Sequence, residues 1–554
     1  MKDMKYLLPL ITLFALFIPA LTHAQSKDTR PVVLMSGYSD LHHPTSAKNP
    51  DAQKFFDQGL RQIYAFNHDE AFRSFNHAAE LEPTFAMAYW GVAEAVGPNY
   101  NDPADDARYK QAHDAIQKAV ALSAPGTPAN YATPSEHDYI LAMAKRFPEP
   151  GPNVDLHQAA RDYRSAMREL SKKYPDDPDA ATLFAEAGMN IHPWGLWHAD
   201  GTPEEGTDEI VSTLESVIRR YPNHMGAIHY YIHAVEASPD PQRALAYAPH
   251  LAELAPEAGH LVHMPAHIYI RTGDFTAAVD SNEKAAAADE AYLKTARDAT
   301  MYSMMYYGHN LHFIAISGAM DGDYADAHAA AAKLAAHVAP MLKEMPILAF
   351  FAIIEPAVDV RFHKWAEILA MPKPDTSDTV VNGFYHYARG MAFAGTGKVK
   401  DAEAEHAALV EVDSKIPADT PFGGTSNKAA KLMKIAEDDL AAKIAVAEND
   451  STRAIALLGS AVALQDALAY DEPPDWFFPV RESLGAVLLQ TGDAAGAEKV
   501  FRDDLSRNPR NPRSLFGLVA ALKAQHRDYD AQFIDKQFHS EWKGSPSLSL
   551  SDLV

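Results

Sequence analysis

The stretch Thr272-Gly273-Asp274-Phe275-Thr276-Ala277-Ala278 decides the fold, because closely related phrases return three more times along the chain. They are 321–327 (DGDYADA), 491–497 (TGDAAGA) and, more loosely, 396–402 (TGKVKDA). Each phrase follows one apolar helical pattern and precedes another. The sequence therefore predicts a repeated unit made of a helix, a tight turn and a second helix.

The repeat has a period of 34 residues, which separates Pro222 from Pro256 and Ala244 from Ala278. Near the start of the chain, small, aromatic and proline residues follow at intervals of 12, 4, 3 and 5: Gly59, Ala71, Phe75, Ala78 and Pro83. The same frame accepts a second group near the end of the chain: Gly485, Ala497, Phe501 and Pro509. Small residues at these places let two helices approach closely, and proline ends the second helix.

This pattern resembles the tetratricopeptide repeat, with its small residue at position 8, alanine at 20, aromatic at 24, small residue at 27 and proline at 32. The resemblance covers most of residues 51–525 in pieces. It implies an all-α fold, a right-handed α-α superhelix. The middle repeats depart from the pattern, with Ala248 and Asn282 at position 24 and Glu290 at position 32, and we expect them to pack less regularly.

Composition shifts divide the chain into five sections. We expect a signal peptide at 1–24, an N-terminal extension at 25–50, repeats carrying a histidine-rich groove at 51–370, C-terminal repeats at 380–540 and a flexible tail at 541–554.

The first 24 residues have the composition of a cleaved secretory signal. Lys2 and Lys5 precede the apolar stretch from Tyr6 to Leu21, and Thr22-His23-Ala24 supply a small-residue ending. The apolar stretch of 16 residues is short for a membrane span. We expect a protein that is periplasmic or secreted, without membrane insertion after signal cleavage. The chain has no cysteine, so no disulfide can form in that compartment.

The acidic residues outnumber the basic ones by 74 to 49, giving a formal net charge of −25. This balance disfavours nucleic acid and anionic membrane surfaces as partners. An acidic, soluble surface that prevents association is the ordinary explanation.

Histidines cluster in the middle repeats. The chain has 26 histidines among 554 residues, so about two are expected between His224 and His267, yet seven occur there. The repeat frame puts His229, His263 and His312 at position 5 of three successive first helices. His233 and His267 occupy position 9, and position 2 is taken by His260 and His309.

The tetratricopeptide resemblance implies that these positions line the concave groove. Cβ atoms four residues apart on a helix are about 5–6 Å apart, and packed helix axes lie about 8–10 Å apart. Four imidazoles, those of His229, His233, His263 and His267, can therefore surround one ion. His312 completes that site or begins a second one.

Glu236, at position 12, is seven residues beyond His229, or about 10.5 Å along the helix axis. At that distance we do not expect Glu236 to bind the same ion as His229. It is better placed beside His233, where it could act as a metal ligand, as a group that orients the imidazole, or as a catalytic proton acceptor. Arg271, at position 13, could hold a substrate carboxylate, with His260 and His309 as further substrate-binding residues. The loop around Trp194 could fold over the groove.

These residues predict a transition-metal site, with copper or zinc as the leading ions. Whether the protein is a metal-dependent enzyme, of oxidase or hydrolase type, stays open at this point. One alternative is a scaffold for a protein or peptide ligand in the groove, without metal. Another is metal-free acid–base chemistry on a small molecule. Duplication of one ancestral repeat would also place histidines at matching positions.

Overall fold

Helices connected by short turns make up almost all of the chain. The computed structural model describes residues 30–126, 132–296, 300–423 and 426–554. Within these ranges the only β-type pairing consists of three isolated bridges, such as that between Trp197 and Pro203. The prediction of an all-α repeat fold is confirmed. The predicted signal peptide lies outside the described residues.

The N-terminal helices begin after an irregular, non-helical segment at residues 34–49. They are α1 (Pro50–Tyr64), α2 (His68–Leu81), α3 (Ala86–Val96), α4 (Asp106–Ser123), α5 (Pro134–Arg146), α6 (Leu156–Lys173), α7 (Pro178–Met189) and α8 (Thr207–Arg220).

The central helices are more broken, with a π-helical turn at Ser303–Tyr307 and 3-10 turns at Pro241–Ala244, Ala339–Met341 and Pro346–Leu348. They are α9 (Met225–Glu236), α10 (Ala248–Leu254), α11 (Gly259–His263), α12 (Pro265–Thr272), α13 (Phe275–Leu293), α14 (Thr300–Tyr302), α15 (Gly308–Asp321), α16 (Tyr324–Val338), α17 (Ala349–Ala352), α18 (Ile354–Arg361) and α19 (Trp365–Ala370).

The C-terminal helices return to long, regular pairs and end in a 3-10 turn at Leu550–Leu553. They are α20 (Thr379–Gly395), α21 (Val399–Asp413), α22 (Ala429–Ala447), α23 (Ser451–Asp466), α24 (Val480–Gln490), α25 (Ala494–Arg507), α26 (Pro512–Ala524) and α27 (Asp528–Glu541).

The repeated phrase forms the turn predicted from it. Gly273 adopts a positive φ of 79°, a conformation that glycine tolerates best, and ends α12. The side chain of Asp274 then accepts a hydrogen bond from the backbone N–H of Ala277 and so caps α13. The same pair of devices recurs at Gly322 with Asp323 and at Gly492 with Asp493.

Small residues allow neighbouring helices to pack closely around one aromatic ring, as the repeat frame predicts. A Cβ added at Gly59 would lie 2.6 Å from the ring of Phe75, and one at Gly91 would lie 2.2 Å from it. Phe501 is enclosed in the same way by Gly485 and Gly517 at the other end of the chain. Each phenylalanine therefore joins two first helices through the second helix between them.

Two segments outside the repeats pack against them. In the N-terminal segment, Nδ1 of buried His43 lies 2.7 Å from a carboxylate oxygen of Asp179. The segment 541–554 is not the flexible tail that was expected. Leu553 is buried, its carbonyl accepts from the Ser483 hydroxyl at 2.6 Å, and the Asp552 carbonyl accepts from Arg513 at 2.7 Å. These bonds tie the last residues to α24 and α26.

Among the described residues, no helix combines the length and the apolar character that crossing a bilayer needs. Residues 34–554 form one unit, and α1 packs against α9 as well as against its sequence neighbours. This return contact helps to enclose the histidine-rich region.

Candidate metal centre

The clustered histidines come from four helical segments, α9, α11, α12 and α15. His229 and His233 lie on α9, one turn apart, while His260 and His263 lie on α11. The remaining ones are His267 on α12 and His309 and His312 at the start of α15. Because α9, α12 and α15 are first helices of successive hairpins, equivalent faces of these repeats meet in one region.

Three histidines, which we name set A, bring their ring nitrogens within 4.8 Å of one another: His229, His233 and His260. Nε2 of His229 lies 3.0 Å from Nε2 of His260. Nδ1 of His229 lies 2.7 Å from the carbonyl oxygen of Tyr64, to which it donates. Nδ1 of His233 donates to Glu236 over 2.9 Å, leaving Nε2 of His233 with no hydrogen-bond partner in the described chain.

A second group, set B, repeats this arrangement one hairpin further on: His263, His267 and His309. Nε2 of His263 lies 2.7 Å from Nε2 of His267, and Nδ1 of His263 lies 2.6 Å from the amide oxygen of Asn282. Each set thus takes positions 5 and 9 of one repeat and position 2 of the next. The geometry is built twice from the same repeat positions.

The short distance between the facing Nε2 atoms limits which of them can carry a hydrogen. Two Nε2 atoms at 2.7–3.0 Å cannot both bear a hydrogen, so at least one of each pair is an electron-pair donor. The opposite nitrogens of His229, His233 and His263 are held by oxygen acceptors. An imidazole whose second nitrogen is fixed by an oxygen acceptor is the usual form of a metal-binding histidine.

Burial keeps most of these imidazoles neutral. Loss of solvent, reinforced by neighbouring imidazoles, holds the pKa values of His229, His260, His263 and His309 well below the usual range. Neutral imidazole is the form that binds metal. These four imidazoles are therefore ready to act as ligands at neutral pH.

His267 differs because two carboxylates face its Nδ1. Burial lowers its pKa, but the charges of Glu236 and Glu472 outweigh burial and raise the pKa to about 10. Burial raises the pKa of Glu236, but His267 and His233 bring it down to about 2. Burial dominates for Glu472 and raises its pKa to about 6. In the metal-free protein, His267 is the one strongly basic histidine of the two sets.

Aromatic side chains cover the sets. Phe66 stacks on His233 with ring centroids 5.7 Å apart, and Trp194 meets the same imidazole edge-on at 5.9 Å. Tyr100 stacks on Trp194 and also contacts His233. The loop around Trp194 thus lies over set A, and the loop holding Tyr100 also contacts the site. Of the six histidines, only His309 is more than slightly exposed.

The structure regroups the residues expected to act together. His229, His233, His263 and His267, expected around one ion, are divided between the two sets. His260 and His309, expected to bind substrate, instead supply the third imidazole of sets A and B. All but His309 are buried, whereas the sequence placed them along an open groove.

His312, expected to be a ligand, lies outside both sets. Its ring contacts Phe350 and Phe351, and neither ring nitrogen has a hydrogen-bond partner in the described chain. Position 9 of its repeat is Ile316, so the third repeat has no second imidazole with which to form another set.

Glu236 and Arg271 lie beside the sets. Glu236 takes the supporting position considered for it, between His233 and His267. Arg271 donates from Nε to the carbonyl of Glu236 at 3.0 Å and packs over the ring of Tyr470. Its guanidinium is thus already engaged with the protein and lies beside set B.

Sequence reasoning missed two side-chain partners of the histidines. Asn282, which orients His263, stands at position 24, where the repeat prefers an aromatic residue, so the departure from the pattern was its signal. Glu472 lies in the segment between α23 and α24. Nothing in the local pattern connects it to histidines more than 200 residues earlier.

Comparison with known proteins gives only weak likenesses. No family model and no curated protein matches the chain. Among solved structures, the human IFIT1 dimer with m7Gppp-AAAA is 12% identical, covers 89% of this chain and 90% of its own, and has a TM-score of 0.30. Yeast Tom70 is 9% identical over 89% and 93% of the two chains, with a TM-score of 0.29. The P58(IPK) TPR domain is 12% identical over 86% and 99%, with a TM-score of 0.23. These TM-scores are too low to support a conclusion about family or function. The tetratricopeptide-like character of the fold is instead supported by its helix pairs, its capped turns and its glycine–phenylalanine packing.

Proposed function

We propose that this protein binds two transition-metal ions, one in set A and one in set B. The observation that carries the proposal is the repetition of one three-imidazole arrangement at equivalent positions of successive repeats. Duplication alone explains why histidines recur at positions 5 and 2. It does not explain why three ring nitrogens converge in each set, or why Nδ1 of His229, His233 and His263 meets an oxygen acceptor.

The spacing of the nitrogens suits an ion after a small adjustment. Imidazole nitrogens bind zinc at about 2.0–2.1 Å, so two nitrogens of a tetrahedral site are about 3.3 Å apart. The facing Nε2 atoms are 3.0 Å apart in set A and 2.7 Å apart in set B. Opening these pairs by about 0.3–0.6 Å and bringing in the third nitrogen, which lies within 4.8 Å of the other two, would reach that spacing. Imidazole donors favour copper or zinc over magnesium or calcium, which prefer oxygen.

Three protein ligands leave a coordination position open, and this is the usual difference between catalytic and structural zinc sites. We therefore propose a metal-dependent enzyme of oxidase or hydrolase type acting on a small molecule, with set B as the reactive site because His309 reaches the surface. Glu236 orients His233 by accepting from its Nδ1, and its other carboxylate oxygen lies 2.6 Å from Nδ1 of His267. We place this protein in the periplasm or outside the cell, as the sequence of residues 1–24 suggests.

The burial of the histidines argues against the alternative in which they bind a peptide as part of a scaffold. A peptide in the concave groove could not contact His229 or His263, whose side chains are fully buried. Aromatic rings such as Phe66 lie between the imidazoles and solvent. A small molecule or an ion is the ligand class that matches these surroundings.

The direct test is metal content. Protein purified without chelator and without a histidine tag is expected to retain two ions per chain by elemental analysis, as copper or zinc. Replacing His263 and His267 together is expected to remove the set B ion. The matched control replaces His113 and His137, which bond to the Phe147 carbonyl and the Ser123 hydroxyl outside the sets.

Two results would overturn the proposal. One is wild-type protein that neither retains copper or zinc nor binds either ion after dialysis. The other is an equal loss of metal from the control variant, which would show that retention does not depend on these sets.

A further inference from the structure

His267 also takes part in a group of donors of a different kind. Its Nδ1 lies 2.6 Å from Oε2 of Glu236 and 3.0 Å from Oε2 of Glu472. The three donor atoms lie within 4.8 Å of one another. They come from α12, from α9 and from the segment between α23 and α24, so the tertiary fold assembles this group.

These close atoms are not joined by well-directed hydrogen bonds. Oε2 of Glu236, both carboxylate oxygens of Glu472 and Nδ1 of His267 have no hydrogen-bond partner in the part of the chain that the structure describes. All three side chains are at most 2% exposed. Buried polar groups in native proteins are normally hydrogen-bonded, and buried charges are normally paired or bound to metal. These donors form ion pairs without directed hydrogen bonds, an arrangement in which a bound cation would supply the missing partner.

The protein supplies little positive charge at this point. Nε of Arg271 is 3.9 Å from Oε1 of Glu472, but it already donates to the Glu236 carbonyl at 3.0 Å. A protonated imidazole at His267 supplies one positive charge, against the two carboxylates of Glu236 and Glu472. The Tyr470 hydroxyl is also buried without a hydrogen-bond partner among the described residues. Two adjacent carboxylates therefore face one imidazole nitrogen and one distant guanidinium.

We propose that Glu236, Glu472 and Nδ1 of His267 form a third cation site, which takes a divalent ion through one nitrogen and two carboxylate oxygens. This proposal rests on the metal-binding function proposed above, because the other nitrogen of His267 belongs to set B. The mixed donor set suits zinc, manganese or iron, in contrast to the all-imidazole sets. When both sites are filled, His267 bridges the two ions as an imidazolate.

The proton balance follows from the geometry. An ion at the carboxylate site takes the place of the hydrogen on Nδ1, and an ion in set B takes the place of the hydrogen between Nε2 of His267 and Nε2 of His263. Filling both sites therefore releases both protons of the His267 imidazolium to the buffer. Glu236 would then bind this ion through Oε2 while Oε1 continues to accept from His233.

The test uses Glu472→Gln, which removes one carboxylate charge and keeps the shape of the side chain. Metal-free wild-type protein titrated with Zn²⁺ is expected to bind three ions, and the variant two. Circular dichroism and thermal unfolding of the metal-free forms check that the variant keeps the fold. Glu437→Gln is the matched control, because Glu437 is a buried carboxylate that pairs with Lys434 away from any donor group. It is expected to bind three ions.

Copper provides a second readout. An imidazolate bridge couples two Cu²⁺ spins antiferromagnetically, so the low-temperature electron paramagnetic resonance of copper-loaded wild type is expected to account for less copper than elemental analysis finds. Glu472→Gln is expected to restore agreement between the two measurements. His309→Gln, which weakens set B and leaves the carboxylates intact, is expected to remove the coupling while retaining an ion at the carboxylate site.

The outcomes separate this inference from the proposed function. Two Zn²⁺ ions in both wild type and Glu472→Gln would overturn the third site and leave sets A and B standing. Full agreement between spin count and copper content in wild type would overturn the bridge. The absence of any bound metal in wild type would overturn the proposed function itself.

Discussion

Metal binding should stabilise the two halves of the histidine cluster separately, and His260→Gln, His309→Gln and His312→Gln can show this. His260 belongs to set A and His309 to set B, whereas His312 lies in neither. His260 and His312 are similarly buried, at 3% and 4% exposure. His312→Gln is therefore a control for the loss of a buried imidazole.

The magnitude follows from linkage. A ligand that binds only the closed state stabilises it by RT ln(1 + [L]/Kd), which is about 2.7 kcal/mol at a free concentration of 100 Kd. That energy corresponds to a factor of about 100 in the equilibrium constant for local opening. Because set A joins α9 to α11, and set B joins α11 and α12 to α15, each ion should protect a different first helix.

Hydrogen exchange of backbone amides measures local opening directly. In wild type, zinc should slow the exchange of peptides from both α9 and α15 by about 100-fold relative to metal-free protein. His260→Gln should remove the metal-dependent protection of α9 around His229 and His233, leaving that of an ion at Glu236, and should keep the protection in α15, whereas His309→Gln should remove it from α15 and keep it in α9. His312→Gln should keep both.

Comparing each variant with and without metal cancels the effect of the substitution on the metal-free fold. The reasoning fails if His260→Gln and His309→Gln affect both helices alike, because the two sets would then form one site. It also fails if His312→Gln removes protection, because His312 would then be a ligand.

Three further predictions concern stability. His312→Leu should raise the free energy of unfolding, measured in urea, by about 1 kcal/mol, because it removes two buried ring nitrogens that have no hydrogen-bond partner among the described residues. A drop in bound metal would instead identify His312 as a ligand. Gly91→Ala should cost about 1–3 kcal/mol, because its Cβ would lie 2.2 Å from Phe75, whereas Gly459→Ala, with open space around it, should be neutral or stabilising. Burial alone would lower the pKa of His43, but its carboxylate partner Asp179 raises that pKa from 6.5 to about 9. The stability that this ion pair adds is therefore complete below pH 6.5 and is lost as the pH rises through 9. His43→Gln should flatten that decline in urea unfolding curves recorded from pH 6 to pH 10.

The sequence was a good guide wherever contacts are local. The turn at Gly273 and Asp274 could be predicted because its glycine and capping aspartate lie within one phrase. The contact between Gly59 and Phe75 follows from spacing within one hairpin. The repeat frame also identified which face of each first helix carries histidine.

The grouping of the histidines could not be predicted, because the frame fixes the face of a helix and not the stagger between neighbouring helices. That stagger brings position 2 of one repeat, such as His260, to positions 5 and 9 of the repeat before it. The contact of Tyr64 with His229 depends on α1 returning to α9, which no nearest-neighbour pattern encodes. Glu472 reaches His267 for the same reason, through the fold of the whole chain.

The position of the two sets also gives metal binding a structural consequence. In a repeat protein, stability is approximately a sum of the stability of each repeat and of the interfaces between neighbours. Each histidine set spans such an interface, because its third imidazole always comes from the next repeat. The central repeats lack the aromatic residue at position 24 that joins first helices elsewhere, as Phe75 and Phe501 do, and carry Ala248 and Asn282 there instead. A metal ion in each set would therefore connect successive hairpins at the place where the packing residue of the repeat is missing. If metal is bound as proposed, the same ions that provide open coordination positions would also hold the centre of the molecule together, and removal of metal should loosen α9 to α15 before the regular hairpins at either end.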